Sequence, residues 1–402
     1  ISAARVEELQ KGHDRTGEVD DAALAASSMR FSCREEDLAS AGLIIVAVPT
    51  PIDGHRSPDL TPVVGASKTV GQNMSRGCVV VYESTVYPGL TEEICVPILE
   101  RESGLAFGKD FTIGYSPERI NPGDKVNTLK NITKIVSGMT PEVCEEIGKV
   151  YKLAVDTIFP VSSIKVAESA KLLENTQRDI NIALMNEAAM MFNSIGISTK
   201  EVVDAMNTKW NALGFRPGLV GGHCIGVDPY YLIYKASLDS SRSELVSTAR
   251  QINDGMSRFV VDVILNKMIV ERHALKNDKI YFFGITFKGN CPDTRNSRAI
   301  DILKLLRKYD LTPIVVDPYV DKDQLMRDYG LQAMNFSDVQ SITDADCLIF
   351  AVDHDAFRDF TTEQLKAFTT NSYAGNKSVV IDIKNMYDKE AVEAEGLAYW
   401  GL

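Results

Sequence analysis

The sequence predicts an α/β protein: two doubly wound, Rossmann-like domains joined by a long central helix, the N-terminal domain truncated. Two observations carry the class. Short apolar runs alternate with helical stretches in the first third of the chain and again in the last third. Between them, about residues 162–196 keep apolar spacings of three, four and seven, which is a helix period. The 402 residues suffice for two or three domains, each with its own core.

Residues 43–48, 78–82 and 111–115 are apolar runs, ended by Pro49-Thr50-Pro51, Glu83-Ser84-Thr85 and Ser116-Pro117-Glu118-Arg119. Runs apolar on both faces, separated by helical stretches such as 61–74 and 90–102, indicate a parallel sheet covered on both sides. Ligands bind beyond the carboxyl ends of such strands, where all three polar motifs fall. In the central segment Val166, Leu173, Ile180, Leu184, Ala188 and Met191 make an apolar stripe. Glu168, Lys171, Asn175 and Arg178 share another face. Gly196 is a stop, and Ser198 or Thr199 can cap a helix over 199–207. A loop rich in Gly and Pro at 212–230 precedes a helix over 243–270. Strands at 279–283, 313–317, 347–352 and 378–382, with a helix at 298–309, then form the second doubly wound domain.

Against 43 basic residues stand 55 acidic ones, and the net charge of −12 argues against nucleic-acid and acidic-membrane partners. No apolar run reaches the roughly 18 residues of a membrane span. Cysteines at 33, 78, 95, 144, 224, 291 and 347 show neither CxxC nor a paired framework. A reducing, cytoplasmic setting is expected, with no metal site.

The strongest motif is Gly221-Gly222-His223-Cys224-Ile225-Gly226-Val227-Asp228. It puts a thiol in a loop whose glycines let a ligand approach the backbone, with an acid four residues on. The plain alternative is a structural Cys in a tight turn. Lys171 and Asn175, four apart, suit a proton-handling amine beside an amide that positions an oxyanion; the alternative is a solvated polar face. Glu118 at a strand end suits a base or a water-orienting group, or a carboxylate compensating a helix dipole. Phe287-Lys288-Gly289-Asn290 and Asp293-Thr294-Arg295 place two cations beyond a strand end, as a pyrophosphate needs or as a charged turn carries. Phe215-Arg216-Pro217-Gly218 adds a cation within the glycine-rich loop, and no G-x-G-x-x-G occurs.

In chain order, Val48-Pro49-Thr50-Pro51, Glu83-Ser84-Thr85-Val86, Tyr115-Ser116-Pro117-Glu118-Arg119, Lys171 with Asn175, Gly221-Gly222-His223-Cys224, Phe287-Lys288 and Asp293-Thr294-Arg295 form one set. This set resembles the UDP-glucose/GDP-mannose dehydrogenase family nearly from end to end. Segments 116–124 and 221–226 are similar to its UDP-N-acetylhexosamine branch, which oxidises UDP-GlcNAc or UDP-GalNAc to uronic acids for surface polysaccharides. The UDP-glucose branch usually carries Phe after that Glu.

The resemblance implies two successive NAD-dependent oxidations at C6. Cys224 matches the nucleophile that traps the aldehyde as a thiohemiacetal and then a thioester. Lys171, Asn175 and Asp228 match the groups that handle protons and the oxyanion, and Glu118 with Thr85 the water-handling pair of thioester hydrolysis. Val48, Pro49, Thr50, Ser84, Thr85 and Arg295 are then expected to contact NAD. Glu118, Arg119, Lys171, Asn175, Phe215, Arg216, Gly221 and Lys288 are expected to contact the UDP-sugar.

By the same resemblance, residues 1–160 form the NAD-binding domain, 161–272 a central helical domain that makes a homodimer through its long helix, and 273–402 the UDP-sugar-binding domain. The family opens with a strand, a glycine-rich turn, a helix and a second strand, and residues 1–6 resemble the segment next after that second strand. About 20–25 residues, one such unit that carries the pyrophosphate loop, are therefore expected to be missing. The rival readings are a UDP-glucose 6-dehydrogenase, a β-hydroxyacid dehydrogenase, which needs no thiol, and a nucleotide-sugar-binding protein without activity.

Overall fold

The computed structural model describes residues 2–16, 19–120, 126–222, 224–272, 278–370 and 376–402. The chain divides into two compact units, residues 1–174 with 230–242, and residues 175–229 with 243–402.

The first unit is built on a five-stranded sheet: β1 (Leu43–Val46), β2 (Val79–Tyr82), β3 (Thr112–Tyr115), β4 (Thr133–Gly138) and β5 (Thr157–Pro160), side by side in that order. The first three strands pair parallel, as their two-sided apolar runs predict. Beyond the three runs read from the sequence the sheet becomes mixed: β4 runs antiparallel to β3 with Gly114 opposite Gly138, and β5 then pairs parallel with β4. Both glycines allow close approach, since a Cβ on Gly114 would strike Ile147 and the Ser137 carbonyl, and one on Gly138 the Cys144 backbone. Coverage on both faces holds for β2, buried throughout, but not for the edge strand β1, whose Ile45 is 42% exposed.

Helices α1 (Ala3–Gln10), α2 (Asp21–Ala26), α3 (Thr61–Asn73), α4 (Val96–Ser103) and α5 (Pro141–Tyr151) complete this part of the chain. Side-chain oxygens of Ser2, Asp20 and Thr140 accept from early N–H groups of α1, α2 and α5. The helix expected from residue 90 opens with a π turn over Thr91–Cys95 before α4 begins.

The central helices are α6 (Ile164–Ile195), α7 (Thr199–Asn207), α8 (Asp228–Leu238) and α9 (Glu244–Arg272). Ser198 caps α7, accepting from the Glu201 N–H. On α6 the expected apolar stripe lies largely outside and the expected polar face largely inside, except for Arg178, which is exposed. Val166, Leu173, Leu184 and Met191 are exposed, whereas Glu168, Lys171, Asn175, Thr176 and Asp179 are buried. Burial of this polar face is supported by specific partners: Glu168 accepts from the Gly89 and Thr91 N–H groups, and Asp179 pairs with the buried Arg250 at 2.5 Å.

The second unit carries six parallel strands: β6 (Ile280–Phe283), β7 (Ile314–Val316), β8 (Ala333–Met334), β9 (Cys347–Phe350), β10 (Val379–Asp382) and β11 (Ala398–Gly401). Their spatial order is β11-β10-β9-β6-β7-β8. The chain winds outward from β6 to β8, returns to β9 and winds outward again, so a topological switch point lies between β6 and β9. Helices α10 (Arg298–Arg307), α11 (Lys322–Tyr329), α12 (Asp355–Arg358), α13 (Thr362–Ala367) and α14 (Lys389–Ala394) complete the domain. One core joins α9 and α10 to the sheet through Val260, Ile264, Ile302, Leu306 and Phe282. The other is aromatic, with Phe283 stacked on Phe350 at 4.5 Å and edge-on to Phe357 at 5.5 Å.

Candidate active site

In the first unit, the expected residues gather where β1, β2 and β3 end. The Ser84 hydroxyl accepts from the Val48 N–H at 2.9 Å and donates to the Val48 carbonyl at 2.7 Å. This hook fixes Val48, and with it the turn carrying Pro49 and Thr50, against the end of β2. Tyr115 donates to the Ser84 carbonyl at 3.2 Å, and Tyr231 to that of Pro51 at 3.1 Å. Thr85 is half-buried beside this crest. The crest lies at the carboxyl ends of parallel strands, the place where such sheets hold nucleotides, so Val48, Thr50, Ser84 and Thr85 fit one wall of a cofactor site.

Glu118 sits three residues beyond β3 and belongs to no described helix. Its Oε1 accepts from the Arg119 and Ile120 N–H groups at 2.6 Å each. Its Oε2 lies 3.4 Å from the ammonium of Lys134 on β4. Lys134 is 1% exposed and lies 3.0 Å from Glu83, with the Tyr151 ring 5.1 Å from the ammonium. Tyr151 donates to Glu83 at 2.5 Å, and burial beside that carboxylate pushes its phenol well above the usual range. One ammonium thus holds the carboxylates that follow β2 and β3. Reading the sequence missed Lys134 and Tyr151; the available signal was a lysine inside the apolar stretch 132–136. Arg119 is braced on Glu174 at 2.9 Å and on the Thr133 carbonyl at 2.9 Å. Residues 121–124 of that motif lie outside the described residues.

Lys171 is buried on α6 one turn after Glu168, whose carboxyl burial pushes up to about 7 against the opposing Gly89 and Thr91 backbone hydrogen bonds.

In the second unit, Cys224 is an exposed thiol. Its carbonyl accepts from Val227 at 3.0 Å and from Asp228 at 2.8 Å, so the sulfur rides on the turn that opens α8. Asp228 is buried and accepts from the Asn175 amide at 2.5 Å, which joins two of the expected catalytic residues. His223 lies outside the described residues. Gly222 takes φ +82°, and a Cβ there would stand 2.8 Å from the Phe287 ring; one on Gly221 would stand 2.6 Å from the Asn296 carbonyl. The glycines therefore let the Cys224 loop lie directly on the Phe287–Asn296 turn.

The same loop is clamped at Gly218, whose N–H donates to the Asn186 side chain at 2.8 Å and whose carbonyl accepts from it at 3.0 Å. Asn253, bonded to Asn186 and Asp179, continues the clamp to the buried ion pair. A crevice beyond β6 and β9 is lined by Gly221, Thr286, Phe287, Ser297, Arg298 and Lys384. Lys288 stands beside it, its ammonium 5.6 Å from the Phe287 ring. Two other expected cations have protein partners: Arg295 pairs with Asp293 at 2.7 Å, and Arg216 with Asp204 at 2.6 Å. Phe215 is half-buried next to Arg216.

Three models of one family match the chain: the UDP-glucose/GDP-mannose dehydrogenase NAD binding domain at residues 1–155, central domain at 165–255 and UDP binding domain at 281–389. The chain is 45% identical to a UDP-N-acetyl-D-glucosamine 6-dehydrogenase of Pseudomonas aeruginosa, over 97% of this chain and 91% of that one. It is 44% identical to protein CapL of Staphylococcus aureus, over 97% and 90%. Among solved structures, a UDP-D-ManNAc dehydrogenase of Pyrococcus horikoshii superposes with a TM-score of 0.85 at 30% identity, covering 100% of this chain and 91% of that one.

Proposed function

This chain belongs to the UDP-glucose/GDP-mannose dehydrogenase family, and from that premise we propose that it oxidises the C6 alcohol of a UDP-N-acetylhexosamine to the uronic acid through a thioester on Cys224. The enzyme is an NAD-dependent nucleotide-sugar dehydrogenase. NAD, when bound, takes up one hydride at each of the two oxidations. Val48, Pro49, Thr50, Ser84 and Thr85 would hold it, and Arg295 is a further proposed contact.

Each residue role derives from what the carbon must do. The first oxidation removes a hydride and the hydroxyl proton, and we assign that proton to the group made by Lys171, Asn175 and Asp228. The Cys224 thiolate then adds to the aldehyde carbon, and the resulting alkoxide is steadied by the same cation and amide. Loss of the second hydride leaves a thioester. Water held by Glu118 and Thr85 attacks it, releasing the acid and returning the thiol. Glu118 suits this task because its Oε1 is already engaged by two backbone N–H groups, which fixes the carboxylate's orientation. Phe215, Arg216, Gly221, Lys288, Arg119 and Glu118 are the proposed contacts to the UDP-sugar.

The N-acetylhexosamine assignment is supported by the 45% identity to an enzyme named for UDP-N-acetyl-D-glucosamine, along almost the whole chain. UDP-GlcNAc or UDP-GalNAc should therefore show a higher kcat/KM than UDP-glucose when NADH formation is followed. A preference for UDP-glucose would overturn the assignment. Surface polysaccharide synthesis is the corresponding pathway, and the seven thiols support a reducing compartment such as the cytoplasm. Among the described residues no helix is long and apolar enough to cross a membrane.

The exposed stripe of Leu173, Leu184, Met191 and Ile195 on α6 supports a homodimer through this helix. Sedimentation should give twice the chain mass, and a monomer at micromolar concentration would remove the dimer.

A further inference from the structure

We propose that His354 is a positioning residue for the UDP-sugar: its neutral imidazole sets the turn from Thr286 to Asn290 that carries Phe287 and Lys288. This role rests on the proposed contact between Lys288 and the ligand.

His354 follows β9 and is fully buried, on one side of the switch point, while the turn follows β6 on the other side. The hydrogen bonds assign its tautomer. The Asn290 N–H donates to Nδ1 at 2.9 Å, so that nitrogen must present a lone pair and the ring proton sits on Nε2. Thr286 spends its hydroxyl proton on the Lys288 carbonyl at 2.9 Å, so its oxygen is free to accept from Nε2 at 3.3 Å. Asp317, following β7, accepts from the same Nε2–H at 3.3 Å, while also taking the Ile285 N–H at 2.8 Å. One imidazole therefore ties together the chain ends that leave β6, β7 and β9.

Both ring nitrogens are committed to protein groups, so the ring has no nitrogen left for chemistry on a substrate. Its effect must pass through the groups it holds. Asn290 is held in a left-handed conformation, φ 55°, and its side-chain oxygen accepts from the Asp355 N–H at 3.1 Å and the Tyr319 hydroxyl at 3.2 Å. Gly289 lies against the Asp353 carbonyl, where a Cβ would come within 2.5 Å. The turn is thus pinned along its length, and its Phe287 ring both lines the crevice and supports Gly222 of the Cys224 loop.

Two polar substitutions separate the bonds. His354→Asn keeps an acceptor at the Nδ1 position, and His354→Gln keeps a donor toward Asp317 but loses that acceptor. Calorimetric titration with UDP should show His354→Asn within about threefold of the parent Kd, and His354→Gln weaker by about tenfold or more, since the Asn290 N–H is left unpaired. Melting temperatures are read alongside, and Lys288→Met serves as the reference for the ligand contact.

If Lys288→Met leaves UDP affinity unchanged, the assignment of Lys288 itself falls. If Lys288→Met weakens UDP while both His354 variants bind like the parent, the positioning role falls. It falls equally if His354→Asn and His354→Gln lose affinity and melting temperature in the same proportion, as a purely structural histidine would give.

Discussion

Cys224→Ala is expected to lower uronic acid formation by about three orders of magnitude or more, because the residue supplies the bond that makes the second oxidation possible. An aldehyde carbon carries one hydrogen and no leaving hydroxyl, so it yields a second hydride only after a nucleophile has added. The structure places the Cys224 sulfur, exposed, on the turn whose carbonyl accepts the Val227 and Asp228 N–H groups. The intact enzyme should release two NADH per sugar with no free aldehyde. Cys224→Ser should still form the adduct and lose the second hydride, yet stall as an oxygen ester, a less reactive acyl group than a thioester. Intact-mass measurement would find that ester on the Ser variant and nothing on the Ala variant. A stoichiometry of one NADH, or Ala-variant acid formation at the parent rate, would end the thioester route.

Legibility in the sequence varies with how local the signal is. Strand ends and glycine loops are legible because residue type at a turn is itself the signal: Glu118 accepts from the two N–H groups that follow it and Gly222 takes φ +82°, whereas the distant partners, Val48 for Ser84 and Phe287 for Gly222, leave no local mark. The last domain is legible from its two-sided apolar strands, though β8 and β11 and the four short helices after α10 are not; few of their residues repeat at any period. The face of α6 is not legible either. Periodicity marks two faces of a helix but does not say which is buried, and here the polar one goes inside. Glu168, Asn175 and Asp179 are buried because partners distant in sequence, at Gly89, Asp228 and Arg250, satisfy them. The antiparallel turn of β4 is hidden for a similar reason: nothing local to residues 133–138 states which way the strand must run.

Lys134→Met is expected to cost about 3–5 kcal/mol of folding free energy, the range for removing one member of a buried ion pair. The cost depends on the charges left behind. Glu83 is 15% exposed and has the Lys134 ammonium at 3.0 Å and the Tyr151 hydroxyl at 2.5 Å; without the lysine, among the described residues, the hydroxyl remains to face its charge. Glu118, 42% exposed, loses less, because water and two backbone N–H groups still reach it. The penalty should therefore belong to Glu83, and Lys134→Met combined with Glu83→Gln should recover most of it, since the charge that became unpaired is gone. Lys134→Arg should fall between, keeping the charge but crowding a site closed over by the Tyr151 ring. Urea unfolding of the parent, Lys134→Met, Glu83→Gln and the double variant at neutral pH gives the comparison as a double-mutant cycle, with Lys134→Arg measured beside them. A double variant as unstable as Lys134→Met alone would place the loss in packing, and the ammonium would no longer be the element that binds the ends of β2 and β3 together.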